Sequence, residues 1–254
     1  YAQRERLERS GVLLVGPSPI FLRYIEAVLP SLGETGVVSR TMGSLVPGVS
    51  ATAVEDPALA RLKGLPAWAG ILREAVRRLA RLPERDQELR VWNRRVVLRR
   101  SDVDRAKRHA KRSGRPHNMA REGFARELMD VLAVRLAKEA GGADSEGRVG
   151  KDEKSAWLAE IRDSVDARRA INLAWMPTSA TTLLGRLYAR PEVLAEANRR
   201  AGSPLRPDEL RALARPRCRA WTVSDVALID ELEELLGPMP DPGAARARQD
   251  GAAD

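Results

Sequence analysis

Two short segments carry residue types that could bind a nucleoside triphosphate, and the first fails on its details. A phosphate-cradling loop needs glycines for backbone access and a Lys that reaches the phosphates, in the pattern GxxxxGK[ST]. Residues 43–50, GSLVPGVS, have the glycine spacing, but Val49 stands in place of the Lys and Pro47 removes a backbone donor. We therefore expect no nucleotide site there.

The second segment, VALIDE at residues 226–231, mimics a strand that ends in a magnesium-binding acidic pair. Ahead of it, Thr222 and Asp225 match a capping box, the apolar residues recur at helical spacing, and Gly237 closes the run. The pattern favours a helix over a strand. We assign no catalytic residue, and we predict that this chain alone is inactive as an ATPase.

Metal-binding and nucleophilic residues are scarce. His109, His117 and Cys218 are the complete set of His and Cys side chains, and their spacing matches no zinc site. No Ser or Cys lies in a strand-turn-helix elbow of the hydrolase kind. The sequence predicts no metal site, a reduced Cys218, and a turn or helix start around His117.

Positive charge is concentrated in one segment. The chain carries a net charge of +9, while residues 90–121 hold twelve Lys and Arg against two Asp, which gives +10. A predicted helix in this segment places Arg105, Arg108 and Arg112 on one face and Lys107 and Lys111 on the neighbouring face. This surface could attract nucleic acid phosphates or an acidic protein. A merely solvated face, produced by an Arg-rich composition, is the alternative.

Acidic residues are concentrated in a Gly-rich loop at residues 141–154, GGADSEGRVGKDEK. Carboxylates are hard oxygen donors that could reach a bound cation from a mobile backbone. Three basic residues dilute their field, and a plain surface connection is the competing interpretation. The candidate acidic residues are Asp144, Glu146, Asp152 and Glu153.

The elements that must position these residues form an α/β portion and a helical portion. A strand at residues 12–15 meets a Gly16-Pro17 turn and a helix capped by Ser18, and a second strand lies near residues 36–40. A hairpin is predicted around Asn93-Arg94. Helices are predicted at 67–82, 101–113, 119–140, 154–163, 165–175, 180–189, 191–201 and 208–214. No segment is long and apolar enough to span a membrane, and no signal peptide is present, so we expect a cytoplasmic protein.

Several blocks of this sequence resemble one family. Residues 10–34, SGVLLVGPSPIFLRYIEAVLPSLGE, look like the segment that follows the nucleotide-binding loop in the HelD/HelR family, UvrD-like superfamily 1 helicase relatives that bind and recycle RNA polymerase. Three later blocks are similar to family blocks in the same order: GRPHN at 114–118, RRAINLAWMP at 168–177 and WTVSDVALIDELEELLG at 221–237.

The resemblance implies an α/β fold: a partial RecA-like P-loop helicase domain with a large, mainly α-helical insertion, located between the Walker A and Walker B motifs. The implied segments are the RecA-like part at 1–56, the insertion at 57–220, a returning helix at 221–237 and a disordered tail or linker at 238–254. The chain start at Tyr1 is expected to be a cut within a longer protein, which is expected to be a monomer.

The resemblance also implies function. It predicts ATP hydrolysis with magnesium by the intact protein, no cofactor for this piece, and RNA polymerase and DNA or RNA as partners. Gly16, Pro17 and Ser18 resemble the motif that touches single-stranded nucleic acid, with Ser18 where relatives are expected to have Asn. The loop at 141–154 is the candidate for the family's acidic loop, which enters the polymerase channel. The competing hypothesis is a non-enzymatic, basic helical nucleic-acid-binding module.

Overall fold

A computed structural model describes residues 12–29, 37–217 and 220–240. The predictions for the chain start, for Cys218 and for most of the tail, residues 241–254, lie outside these residues. The described residues are mainly helical and include two separate two-stranded sheets. The fold is therefore mixed α/β, as expected.

The strands are β1 (Val12–Gly16), β2 (Val37–Thr41), β3 (Gln87–Val91) and β4 (Arg94–Leu98). The helices are α1 (Pro19–Val28), α2 (Pro57–Lys63), α3 (Ala67–Arg77), α4 (Arg100–Arg112), α5 (His117–Glu139), α6 (Lys151–Asp163), α7 (Val165–Ala174), α8 (Ala180–Ala189), α9 (Pro191–Arg200), α10 (Pro207–Ala212) and α11 (Val223–Leu236).

The first strand, turn and helix follow the sequence prediction closely. β1 and β2 pair in parallel, in a register from Val12 opposite Val37 to Gly16 opposite Thr41. Ser18 Oγ accepts a hydrogen bond from Phe21 N at 3.2 Å, which caps α1. Gly16 allows a close approach of Leu22, because a β-carbon at position 16 would lie 2.5 Å from the Leu22 side chain, which would then have to shift.

The chain divides into two compact units. Unit 1 contains residues 1–74 and 180–233, and unit 2 contains residues 75–179 and 234–254. This division differs from the predicted boundaries, because α2 and the helices from α8 to α10 group with the N-terminal strands. Backbone pairing explains part of the difference: Thr52 N and Ala53 N donate to Trp221 O at 2.9 and 3.0 Å.

Helices from both chain segments of unit 1 contribute buried side chains to it. Trp68 is buried, and its Nε1 donates to Leu62 O at 3.0 Å. The VALIDE segment is helical, as predicted: Val226, Ile229 and Leu232 on α11 are buried while Asp230 is exposed. Gly237 ends this helix with a φ of +69°, a left-handed conformation that favours glycine.

Unit 2 is built around α5. The apolar face of this helix packs with the β3–β4 hairpin and with α4, α6 and α7 in one core. Trp157 and Trp175 are buried there. In unit 1, Leu183, Leu184 and Leu187 of α8 are buried.

Helix starts were the least accurate predictions. α4 begins at Arg100 and not at the predicted residue 101, because Asp102 accepts from Arg99 N at 3.1 Å and caps the helix there. The short helix α2, capped by Asp56, was not predicted. Among the described helices, none combines the length and the apolar character that crossing a membrane requires.

Candidate partner and nucleic-acid interface

Two backbone amides at or just after the end of the glycine-containing segment at residues 43–50 are committed to local hydrogen bonds. Val49 N donates to Val46 O at 3.1 Å, and Ala51 N donates to Gly43 O at 2.7 Å. The next helix, α2, begins only at Pro57, whereas a phosphate loop leads directly into a helix N-terminus. The geometry of this segment gives no support to nucleotide binding.

The Gly16-Pro17-Ser18 turn lies at the carboxyl end of β1, where α/β folds usually bind ligands. Pro17 is exposed and Ser18 is half-buried. The Ser18 hydroxyl already accepts from Phe21 N, and its carbonyl accepts from Leu22 N at 3.1 Å. The turn is therefore accessible but rigid, and its contact with nucleic acid remains a prediction.

The basic helix α4 exposes most of the predicted residues. Arg105 pairs with Asp102 at 3.3 Å and lies 3.5 Å from Glu127, and Arg108 pairs with Asp104. Arg112 is exposed and has no side-chain partner among the described residues. The Arg108–Asp104 pair is exposed, and exposed ion pairs are weak, at about 0 to 1 kcal/mol, so Arg108 can exchange this partner for a phosphate or a carboxylate. The carboxylate of Asp102, which pairs with Arg105, is buried.

Lys107 differs from the other basic residues of α4. It is half-buried, and its Nζ donates to Ala80 O at 2.8 Å. Burial and the nearby charge of Lys111 lower the pKa of Lys107. The residue anchors α4 to the chain that follows α3, whereas Lys111 is exposed. The basic face is therefore narrower than the sequence indicated.

The acidic loop is a closed turn. Ala143 forms a bridge with Val149, and Asp144 Oδ1 accepts from Arg148 N at 2.7 Å and Glu146 N at 3.0 Å. These backbone hydrogen bonds, with that of Arg148 the stronger, lower the pKa of Asp144. Glu146 forms an ion pair with Arg148 at 2.5 Å.

Asp152 and Glu153 are not in this loop, which corrects the predicted boundary. α6 begins at Lys151, so both carboxylates lie in its first turn. Their negative charges interact favourably there with the positive end of the helix dipole. Glu153 Oε1 also accepts from Trp157 Nε1 at 3.0 Å. In the described part of the chain, no three His, Cys, Asp or Glu side chains gather closely enough to hold a metal ion.

Blocks that carry the family resemblance meet inside unit 2. The His117 ring lies 5.3 Å from the Trp175 ring, and His117 Nε2 donates to Met176 O at 3.1 Å. Asn118 Nδ2 donates to the carbonyls of Thr178 at 3.1 Å and Gly237 at 3.0 Å. These contacts join residues 114–118, 168–177 and the end of α11, so these three blocks form a structural junction.

Burial lowers the pKa of His117, although the hydrogen bond to Met176 O opposes the shift. His117 is the first residue of α5, in agreement with the predicted helix start, but it is buried. A neutral imidazole in this position packs and donates one hydrogen bond. It has no role that requires solvent access.

Unit 1 contains a buried ionic cluster that sequence reasoning missed. Lys63 Nζ lies 2.6 Å from Glu55 Oε2 and 2.8 Å from Asp225 Oδ1. Asp225 Oδ2 lies 2.6 Å from Arg215 Nη2, and Asp225 Oδ1 accepts from Tyr188 Oη at 2.9 Å. We call these five residues the Asp225 network. Its two carboxylates and two cations sum to zero charge.

The ionisation of the Asp225 network reflects this balance. Burial alone raises the carboxyl pKa of Glu55 and Asp225, but the hydrogen bonds from Lys63 and from groups at the start of α11 outweigh it, and both pKa values are lowered. Burial, followed by the charge of Asp225, raises the pKa of Tyr188 well above its ordinary value. The network is neutral and fully paired, which indicates a structural role.

One exposed aromatic residue was also misplaced by the sequence reading. The hairpin was predicted around Asn93-Arg94, but its two-residue turn is formed by Trp92 and Asn93, and Trp92 is 68% exposed. The available signal was its position beside Asn93 in an Arg-rich hairpin.

No protein-family model matches the chain, and no curated protein has significant sequence similarity to it. Among the described residues, α4 exposes Arg105, Arg108, Lys111 and Arg112, and the β3–β4 turn exposes Trp92.

Proposed function

We propose that this chain is the scaffold and polymerase-engaging insertion of an ATP-dependent, UvrD-like motor of the HelD/HelR kind, located between the two ATP motifs of that motor. The observation that carries the proposal is the exposed parallel pair β1–β2. It has the strand, turn and helix order of a RecA-like domain, yet apolar side chains on both strands are open to solvent.

Parallel strands occur almost only in sheets whose two faces are covered. In β1, Leu13 and Val15 are 54% and 44% exposed, and Val38 in β2 is 48% exposed. A pair of strands with this apolar exposure is too small to be stable alone. It fits a larger parallel sheet completed by strands of the intact protein.

Helix α1 has the same property. Ile20, Phe21 and Tyr24 are 72%, 45% and 68% exposed, and Leu22 is the buried residue of this helix. Apolar surface of this extent usually marks an interface. Further parts of a RecA-like domain are the partner that the proposal assigns to this helix.

Unit 2 supplies the second part of the proposal. Helix α4 presents Arg105, Arg108, Lys111 and Arg112, which suit an acidic polymerase surface or nucleic acid. In the intact cytoplasmic motor, ATP and magnesium act at motifs outside this piece, and the piece itself takes no cofactor. Its partners in this account are RNA polymerase and DNA or RNA.

The test uses the intact coding sequence. A GxxxxGK[ST] motif within about forty residues ahead of Tyr1 is expected. The intact protein should hydrolyse ATP and release RNA polymerase from nucleic acid. Replacing Arg105, Arg108 and Arg112 with Gln should weaken polymerase binding and flatten its salt dependence, while basal ATP hydrolysis persists. An intact protein without ATP hydrolysis, or with unchanged polymerase binding in this variant at low salt, contradicts the proposal.

The second candidate is a non-enzymatic nucleic-acid-binding module, favoured by the +10 charge of residues 90–121. A module of this kind binds nucleic acid with a steep salt dependence and has no preference for polymerase. Competition between purified polymerase and a DNA duplex for the chain therefore separates the two candidates.

A further inference from the structure

The tip of the β3–β4 hairpin carries two features that favour function over stability. Trp92 is 68% exposed and has a φ of +50°, in the left-handed region that bulky residues avoid. Two-residue hairpin turns normally use Gly, Asn or Asp where φ is positive. A large indole at this position is therefore held out into solvent by a strained backbone.

The exposed face of the same hairpin places two arginines side by side. Arg90 on β3 lies directly opposite Arg95 on β4, and like charges at such positions repel each other. Arg95 pairs with Glu88 at 2.9 Å, at the exposed surface. The Arg90 guanidinium has no partner among the described residues.

An open groove of about 510 Å³ runs beside these arginines. Val165 lines the groove, is 68% exposed and supplies apolar surface. Two carboxylates also line the groove, and both are already engaged: Glu88 with Arg95, and Asp166 with Arg90 N at 3.0 Å. The groove therefore keeps one free guanidinium and one free indole face.

We infer that this hairpin tip is a binding site for single-stranded nucleic acid, in which Trp92 stacks on a base and Arg90 contacts the adjoining phosphate. The inference deepens the proposed function, on which it rests for its biological setting, by naming a nucleic-acid contact in unit 2. Stacking on an exposed aromatic ring beside cationic side chains is the general mode by which proteins hold single strands without sequence preference.

A nucleic acid suits this surface better than an acidic peptide. A planar base matches the open indole face, and Arg90, which is unpaired in the described part of the chain, presents a planar guanidinium group to the adjoining phosphate. A peptide carboxylate uses Arg90 but leaves Trp92 without a partner. Binding that depends equally on Trp92 and on Arg90 therefore indicates that the ligand is a nucleic acid and not an acidic peptide.

The chain contains its own reporter for this site. Of its five tryptophans, four are buried, with exposures of 2%, 7%, 2% and 6% for Trp68, Trp157, Trp175 and Trp221. Changes of fluorescence on addition of an oligonucleotide therefore report mainly on Trp92. The experiment is a titration of the purified chain with oligothymidine of about twelve nucleotides, a length within the range of single-strand sites.

We expect the oligonucleotide to quench the fluorescence. With a labelled oligonucleotide and anisotropy detection, Trp92→Ala should weaken binding about tenfold or more, whereas Trp92→Phe should retain most of it but lose the quenching. Arg90→Gln should weaken binding by more than Arg126→Gln, a matched control that removes one exposed arginine of α5 outside the groove. Circular dichroism checks that each variant is folded.

Three results overturn the inference: no quenching, unchanged affinity in Trp92→Ala, or equal losses in Arg90→Gln and Arg126→Gln. An equal affinity for an acidic peptide of similar length also overturns it. These outcomes are separate from the proposed function, because polymerase binding and ATP hydrolysis are not measured with naked oligonucleotides.

Discussion

Replacing Lys63 with Met should destabilise unit 1 strongly. The Lys63 amine lies within 2.8 Å of two carboxylates, and its side chain is 5% exposed. Met keeps the apolar volume of the Lys stem, so the change removes charge with little loss of packing. The Asp225 network then holds two carboxylates against Arg215 alone, and its charge falls from zero to −1.

The size of the destabilisation depends on the partners that Asp225 and Glu55 keep in the Lys63→Met variant. Breaking a buried ion pair by removing one partner costs about 3–5 kcal/mol. Asp225 retains Arg215, Tyr188 and Thr222 N, and Glu55 retains Ser224, so we expect the lower end, about 3 kcal/mol. That loss corresponds to a fall in melting temperature of about 6–12 °C.

Urea denaturation followed by circular dichroism measures the change in the free energy of unfolding, and hydrogen exchange locates it. Peptides from α2, α8 and α11 should lose protection, while peptides from residues 75–179 keep theirs. Lys138→Met is the matched control, because Lys138 is exposed and its loss should change stability by less than about 0.5 kcal/mol.

Adding Glu55→Gln to Lys63→Met removes the excess negative charge and should restore part of the lost stability. A Lys63→Met variant as stable as Lys138→Met would refute the reasoning, and so would a double variant less stable than Lys63→Met alone.

Four further outcomes are expected. His117→Phe should remove part of the pH dependence of unit 2 stability. Because burial depresses the His117 pKa below its ordinary 6.5, the stability that the neutral imidazole contributes is complete above pH 6.5 and declines as the pH falls toward the folded-state pKa. Urea denaturation at pH 7.5 and 5.5 should show this difference between the two proteins. Asn118→Ala should cost about 2–3 kcal/mol by the same measurement, because Thr178 and Gly237 lose hydrogen bonds in a buried site. The purified chain should show no magnesium-dependent ATP hydrolysis, and a turnover abolished by Asp230→Ala would contradict the helical assignment of that residue. Neutralising Asp144, Glu146, Asp152 and Glu153 in the intact protein should reduce its release of polymerase from nucleic acid if the loop and the first turn of α6 enter the channel, and unchanged release with unchanged binding would exclude that role.

Local features of the fold could be predicted because their causes are local. The cap on α1 depends on Ser18 and the amide of Phe21, three residues away. The helical nature of residues 226–231 follows from apolar spacing and from a terminal glycine. Both predictions are confirmed, since neither requires knowledge of distant contacts.

The missed features depend on distant partners. Lys63 and Thr222 are in contact although 159 residues separate them, and no spacing rule joins them. Asp102, which caps α4, also forms an ion pair at 2.6 Å with Arg135 on another helix, and no spacing rule indicates that pair. Lys107 looked like its neighbours until Ala80 O proved to be its acceptor. The sequence thus predicted which charged residues belong to the candidate site, but not which of them find partners within the fold.

The most direct test of the central claim is equilibrium binding of this chain to purified RNA polymerase core enzyme. We expect a saturable one-to-one complex whose affinity falls as salt rises, and falls further when Arg105, Arg108 and Arg112 are replaced with Gln. An excess of duplex DNA of about twentyfold should leave most of the complex between the chain and polymerase intact. No complex at low salt, or a complex fully displaced by the DNA, would contradict the assignment of this chain as a polymerase-engaging insertion.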